Sequence, residues 1–138
     1  MKILVIDGQG GKLGAQIVNL IKMKNNPQIE IIAIGTNAMA TEAMLKAKAN
    51  VVATGENPVV VCSKDADVII GPIGIVIADS LYGEITAKMA LAVSQAKAKK
   101  ILIPINKCDN IIVGVTENVM TDSLNQIDNL IDNLMGKC

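Results

Sequence analysis

Five short apolar runs, alternating with stretches of helical spacing, constrain this chain more than any other feature. They are Lys2 to Asp7, Ile29 to Ile34, Val51 to Thr54, Asp67 to Gly71 and Lys100 to Ile105. A strand that faces water on one side alternates apolar and polar residues, whereas a continuously apolar strand must be covered on both faces. Helices between such strands supply both covers, and parallel strands need crossovers of that length. The pattern predicts an α/β fold: a three-layer, doubly wound, mostly parallel sheet.

The intervening segments support this. Leu13, Ile17, Leu20 and Ile21 recur at helical spacing until Asn25-Asn26-Pro27 stops them. Thr36 or Asn37 can cap a helix reaching about Lys48, with Met39 or Ala40, Ala43, Met44 and Ala47 inward. Val59 to Cys62 has strand-like valines, but Asn57-Pro58 suits a helix start and a crossover is required here, so a short helix is expected. Thr86 or a residue just before it opens the next helix, with Ile85, Met89, Ala92, Val93 and Ala96 inward, and Thr121 can cap the last, which carries Leu124, Ile127, Leu130, Ile131 and Leu134. Five residues, 106 to 110, join the fifth run to Ile111–Val115, a length that suits a hairpin. A sixth, antiparallel strand is therefore expected at the sheet edge, giving the order 3-2-1-4-5-6. With 138 residues, 51% of them apolar, and no linker-like tract, residues 1–138 are expected to form one Rossmann-like domain.

The sharpest motif lies between the first strand and the first helix, Asp7-Gly8-Gln9-Gly10-Gly11-Lys12-Leu13-Gly14. Gly8, Gly11 and Gly14 form a G-x-x-G-x-x-G spacing. Such glycines permit a tight turn, close backbone approach of a ligand, and packing of helix on strand. The free amides and dipole of the helix start favour an anion there, with the Lys12 charge beside them. The arrangement resembles nucleotide-binding Rossmann domains, in particular the short-chain reductase-like branch. That resemblance implies NAD or NADP as cofactor, with Gly35, Thr36 and Asn37 near a ribose, and Gly71, Pro72, Ile73 and Gly74 across the crevice at the switch point of the sheet. Two features depart from it. No acid ends the second strand to take ribose hydroxyls. Asp7 would repel a pyrophosphate unless it turned away or Mg²⁺ bridged it. The same glycines also suit a tight strand-to-helix turn with no ligand at all.

Composition narrows the chemistry. His, Trp and Phe are absent, all 13 basic residues are lysine, and Tyr82 is the only aromatic. A His-dependent triad, a His metal site, an Arg clamp on phosphate and an aromatic platform for bases are excluded. The 13 acids balance the lysines, so the basic surplus of a nucleic-acid binder is missing. No P-loop is present, because Gly10-Gly11-Lys12 lacks the following Ser or Thr. No run is long enough to span a bilayer, since Gly71, Pro72 and Gly74 break the stretch from Val68 to Ala78. Cys62, Cys108 and Cys138 are scattered, which points to a reducing, cytoplasmic setting without disulfides or a metal cluster.

Other loops carry weaker signals. The loop Asp79–Glu84 brings two acids and Tyr82 to the same sheet end, but Tyr82 has no Lys four residues later, so the reductase proton donor does not carry over. Tyr82 is expected to be a loop anchor or an interface residue. Lys107 beside Cys108 can lower its thiol pKa, although free cysteine commonly serves as a small apolar filler. Cys62 is expected to be buried.

Taken end to end, the chain resembles a family of short bacterial Rossmann-like proteins known only as a domain of unknown function. The matching segments are Val5–Gly11, Gly35–Asn37, Ala53–Asn57, Gly71–Ile75, Gly83–Thr86 and Lys100–Pro104. The resemblance implies a small α/β fold and no particular activity. The expected function is nucleotide or dinucleotide binding through the glycine loop. The alternatives are a non-catalytic sensor or partner subunit for a small phosphorylated ligand, or a structural domain with an empty loop. A mean hydropathy of +0.43 favours a homodimer.

Overall fold

In a computed structural model, residues 1–105, 110–115 and 119–136 are described. The elements follow in chain order as β1 (Lys2–Asp7), α1 (Lys12–Met23), β2 (Glu30–Gly35), α2 (Ala38–Lys46), β3 (Val51–Thr54), α3 (Glu56–Cys62), β4 (Val68–Pro72), α4 (Ala87–Gln95), β5 (Lys99–Ile103) and α5 (Val119–Gly136). A 3₁₀ turn, Ile73–Val76, extends β4. The strands pair in the order β3-β2-β1-β4-β5, and every pairing is parallel. This is a Rossmann-like doubly wound sheet, as the apolar runs predict.

Alternation along β1 divides the interior in two. Ile3 and Val5 join a cluster with Ile17, Met44, Ile127 and Ile131 under α1, α2 and α5. Leu4 and Ile6 join Val59, Ile85, Met89 and Val93 under α3 and α4. Because both faces are covered, a polar residue has no suitable place in the middle of the strand.

The valine-rich segment 59–62 is helical, in agreement with the crossover requirement, although the cap is Gly55 rather than Asn57. Asn37 caps α2, its side chain accepting from the Ala40 amide at 2.9 Å. Of the two alternatives for the inner face of α2, Ala40 is buried and Met39 points out. Thr86 caps α4.

Two expectations are corrected. Residues 110–115 form no strand: Gly114 is left-handed at φ 87°, and Ile111 and Val113 are 89% and 96% exposed. Strand preference reflects how a side chain fits a half-buried pleated surface, and these side chains have no such surface against them. The antiparallel edge strand is therefore not formed by the described residues. Most of its expected connection, 106–109, lies outside them, as do Cys108, Cys138 and residues 116–118. The last helix starts at Val119, so Thr121 is a helical residue and not the cap.

Candidate functional site

Strand β1 ends in Asp7, which is only 6% exposed and turns back into the glycine loop. Its carboxylate accepts from the Gly8 amide at 2.9 Å and from the Gly14 amide at 2.6 Å. Gly11, the residue preceding α1, has no side chain with which to cap the helix. Asp7 does so from the strand instead, and its charge meets the positive end of the helix dipole. The Asp7 carboxylate thus faces the amides of its own loop, at the edge of the crevice described next.

The glycines fall into two groups. A Cβ on Gly11, which is left-handed at φ 73°, would lie 2.5 Å from the backbone of Ala40. Gly8, Gly14, Gly35 and Gly71 are equally crowded, against Thr36, Met44, Thr41 and the Ile6 carbonyl respectively. These glycines permit close packing around β1. Gly10 is different: nothing lies within 4 Å of its Cβ position.

A cavity of about 340 Å³ opens beside this loop, between the ends of β1 and β4. Of the residues expected at a site, it is lined by Gly8, Gln9, Gly10, Gly11, Lys12 and Leu13 on one side and by Pro72, Ile73 and Gly74 on the other. The crevice at the topological switch point therefore forms. Ile77, Ser80, Leu81, Ile105 and Met120 complete a largely apolar wall that local sequence patterns did not indicate.

Gly14, Gly35, Thr36, Asn37 and Gly71 are not part of the lining. Thr36 and Asn37 instead meet Glu84, which reaches across from the loop before α4. Its carboxylate accepts from the Gln9 amide at 3.0 and 3.2 Å, from the Thr36 hydroxyl at 3.0 Å and from the Asn37 side-chain amide. Asn37 also donates to the Gln9 carbonyl at 2.9 Å. The end of β2 is thereby bound to the glycine loop by the chain's own groups. Glu84 was visible in the sequence only as one of two acids near this sheet end.

Among the described residues, the amides of Gly10, Lys12 and Leu13 make no hydrogen bond, whereas those of Gly8, Gln9, Gly11 and Gly14 all do. The donors left over are those at the start of α1. Tyr82 is 92% exposed and so anchors nothing within the chain. Cys62 is half-buried; burial pushes its thiol above the ordinary range, and the nearby Asp65 charge adds to this, so it is no reactive thiolate. No helix among the described residues is long and apolar enough to cross a membrane.

Residues 2–136 match the family model described as Domain of unknown function (DUF3842). The chain belongs to this family. No curated protein matches the DUF3842 chain. Among solved structures, it is similar to a dodecameric FMN-dependent Ubix-like decarboxylase from Escherichia coli O157:H7. The two are 16% identical, the match covers 94% of this chain and 75% of the other, and the TM-score is 0.47.

Two further expectations are corrected here. The matched structure depends on a flavin, not on NAD or NADP, and is a dodecamer, not a homodimer. At this level of similarity neither its cofactor nor its assembly transfers to the DUF3842 chain. The geometry independently disfavours the nicotinamide expectation. A dinucleotide in the Rossmann manner runs from the end of β2 across the glycine loop, and Glu84 occupies that path.

Proposed function

We propose that this chain binds a small phosphorylated ligand, of mononucleotide size or less, in the crevice between β1 and β4. The observation that carries this reading is the set of unpartnered amides at Gly10, Lys12 and Leu13, residues that line a cavity at the start of a 12-residue helix. Helix amides point toward the N-terminus, where the dipole favours an anion. The exposed Lys12 supplies a charge, and Leu13, Ile73, Ile77 and Leu81 offer an apolar wall for the body of the ligand. A volume of about 340 Å³ is at the lower end for small-molecule sites and suits one nucleotide better than two.

The reading favours binding without turnover, as in a sensor or partner subunit. Among the described residues, Asp7 and Lys12 are the only titratable ones in the lining, and the Asp7 carboxylate accepts from two amides. It takes residues 1–138 as one Rossmann-like domain acting in the cytoplasm, in line with the scattered cysteines.

Thermal melting with AMP, FMN, coenzyme A and sugar phosphates tests it. A ligand present at 100 times its Kd stabilises by about 2.7 kcal/mol, and Gly10→Val should abolish the shift while leaving the unliganded Tm in place. If no member of the panel moves the melting curve, the crevice has no such function.

A further inference from the structure

The contacts around Glu84 have the form of a ligand site whose ligand is part of the chain. Three donors converge on one carboxylate: the Gln9 amide, the Thr36 hydroxyl and the Asn37 side-chain amide. All three are neutral, and no ion pair among the described residues includes Glu84. Two of the donors are fixed independently of it. Gln9 lies in a loop closed by the Gly11 amide on the Gly8 carbonyl, and Asn37 is held by its cap on Ala40. The cradle is thus assembled by the ends of β1 and β2, while the carboxylate arrives from elsewhere in the chain.

It arrives on a strained loop. Asp79, Leu81 and Tyr82 all have positive φ, at 63°, 55° and 56°, with Gly83 following at 82°. Side chains disfavour this region, and such a run persists only where the surroundings hold it. Ser80 is pinned to the Gly74 carbonyl, Leu81 and Ile85 are buried, and the Asp79 amide donates to the Ile85 carbonyl at 2.7 Å, so the loop is closed on itself and Glu84 ties it to the ends of β1 and β2. Ser80 and Leu81 also line the crevice.

We propose that Gln9, Thr36 and Asn37 form an oxyanion site which Glu84 fills as a tethered ligand. A free carboxylate or phosphate group can take its place where the Glu84 side chain is absent, on the same three donors. The proposal does not rest on ligand binding at Gly10, because it uses a different set of donors.

Chemical rescue tests it, with acetate and inorganic phosphate as probes and chloride at matched ionic strength as the reference. Glu84→Ala should lower the Tm by roughly 5 °C, the scale of losing one charged hydrogen-bonding group in a chain of this size. Acetate or phosphate should recover at least half of that loss with saturation, and the Gln9 amide resonance should shift with the same midpoint. Rescue by acetate alone identifies a carboxylate site, and rescue by phosphate identifies a site that also accepts phosphate. The wild type and Glu84→Gln, whose side chain still occupies the cradle, should not respond. If Glu84→Ala fails to fold, its refolding in either anion becomes the readout. A variant that neither anion rescues, or an equal response from Glu84→Gln, overturns the proposal and leaves Glu84 as a structural cross-link only.

Discussion

At the scale of single residues, Gly10 and Gly11 are neighbours in one motif with opposite reasons for being glycine. Gly11 combines a left-handed φ with backbone 2.5 Å from its Cβ position, so neither a side chain nor a shift of Ala40 is cheap. Gly11→Ala should cost about 2–4 kcal/mol, from overpacking together with the left-handed penalty. Gly10→Ala meets nothing within 4 Å and should change stability by no more than about 0.5 kcal/mol. Urea denaturation of the two variants measures this contrast directly, and equal losses would show that Gly10 too is held by the fold. The spacing G-x-x-G-x-x-G was legible in the sequence. That its three glycines are all crowded by neighbouring groups, leaving the glycine outside the spacing as the open one, was not. The neighbours are Thr36, Ala40 and Met44, which belong to the loop after β2 and to α2.

At the scale of elements, the docking of α5 shows how a terminal helix is fastened to a sheet whose edge it covers. Ile127 and Ile131 are buried against the first core cluster, and the stripe that contains them was readable from helical spacing. Its partner was not. Lys24, which ends α1, bridges Asp128 and Asp132 at 2.7 Å each. Burial works against the Lys24 charge, but hydrogen bonds and attraction from both aspartates more than offset it, and its pKa stands above the ordinary 10.5. A pKa raised on folding contributes stability that is fully present below the unfolded value and is lost as pH rises through the folded one. The aspartates are largely exposed, so the solvent-screened contribution is modest, about 1 kcal/mol for the pair of bridges. Lys24→Met should lose that amount at neutral pH, and its stability should converge on that of the wild type only above pH 10.5. Urea midpoints compared at neutral and strongly alkaline pH check both parts. The edge strand expected at 111–115 failed for a related reason. A β-branched run states a preference, and only a surface to pack on turns the preference into a strand.

At the scale of the whole molecule, β1 joins the two halves of the core, with Ile3 and Val5 on one face and Leu4 and Ile6 on the other. Native-state hydrogen exchange should therefore find the amides of β1 and β4 opening only with global unfolding. Those of α5, held by few buried residues and by exposed bridges, should open at lower free energy. Exchange of α5 together with β1 would instead mean that the helix is integral to the cooperative unit. The sequence by itself determined the order of β1 to β5 and of the helices between and after them, the parallel pairing and the position of the crevice. Each follows from patterns a few residues long: continuous apolar runs, caps, and glycines between strand and helix. Which donors of the glycine loop remain available was decided only by tertiary structure. Glu84 stands 75 residues from the amide it occupies, and no local pattern relates the two. Only folding brings them within 3.0 Å, and only folding sets the Asp7 carboxylate on the amides of Gly8 and Gly14.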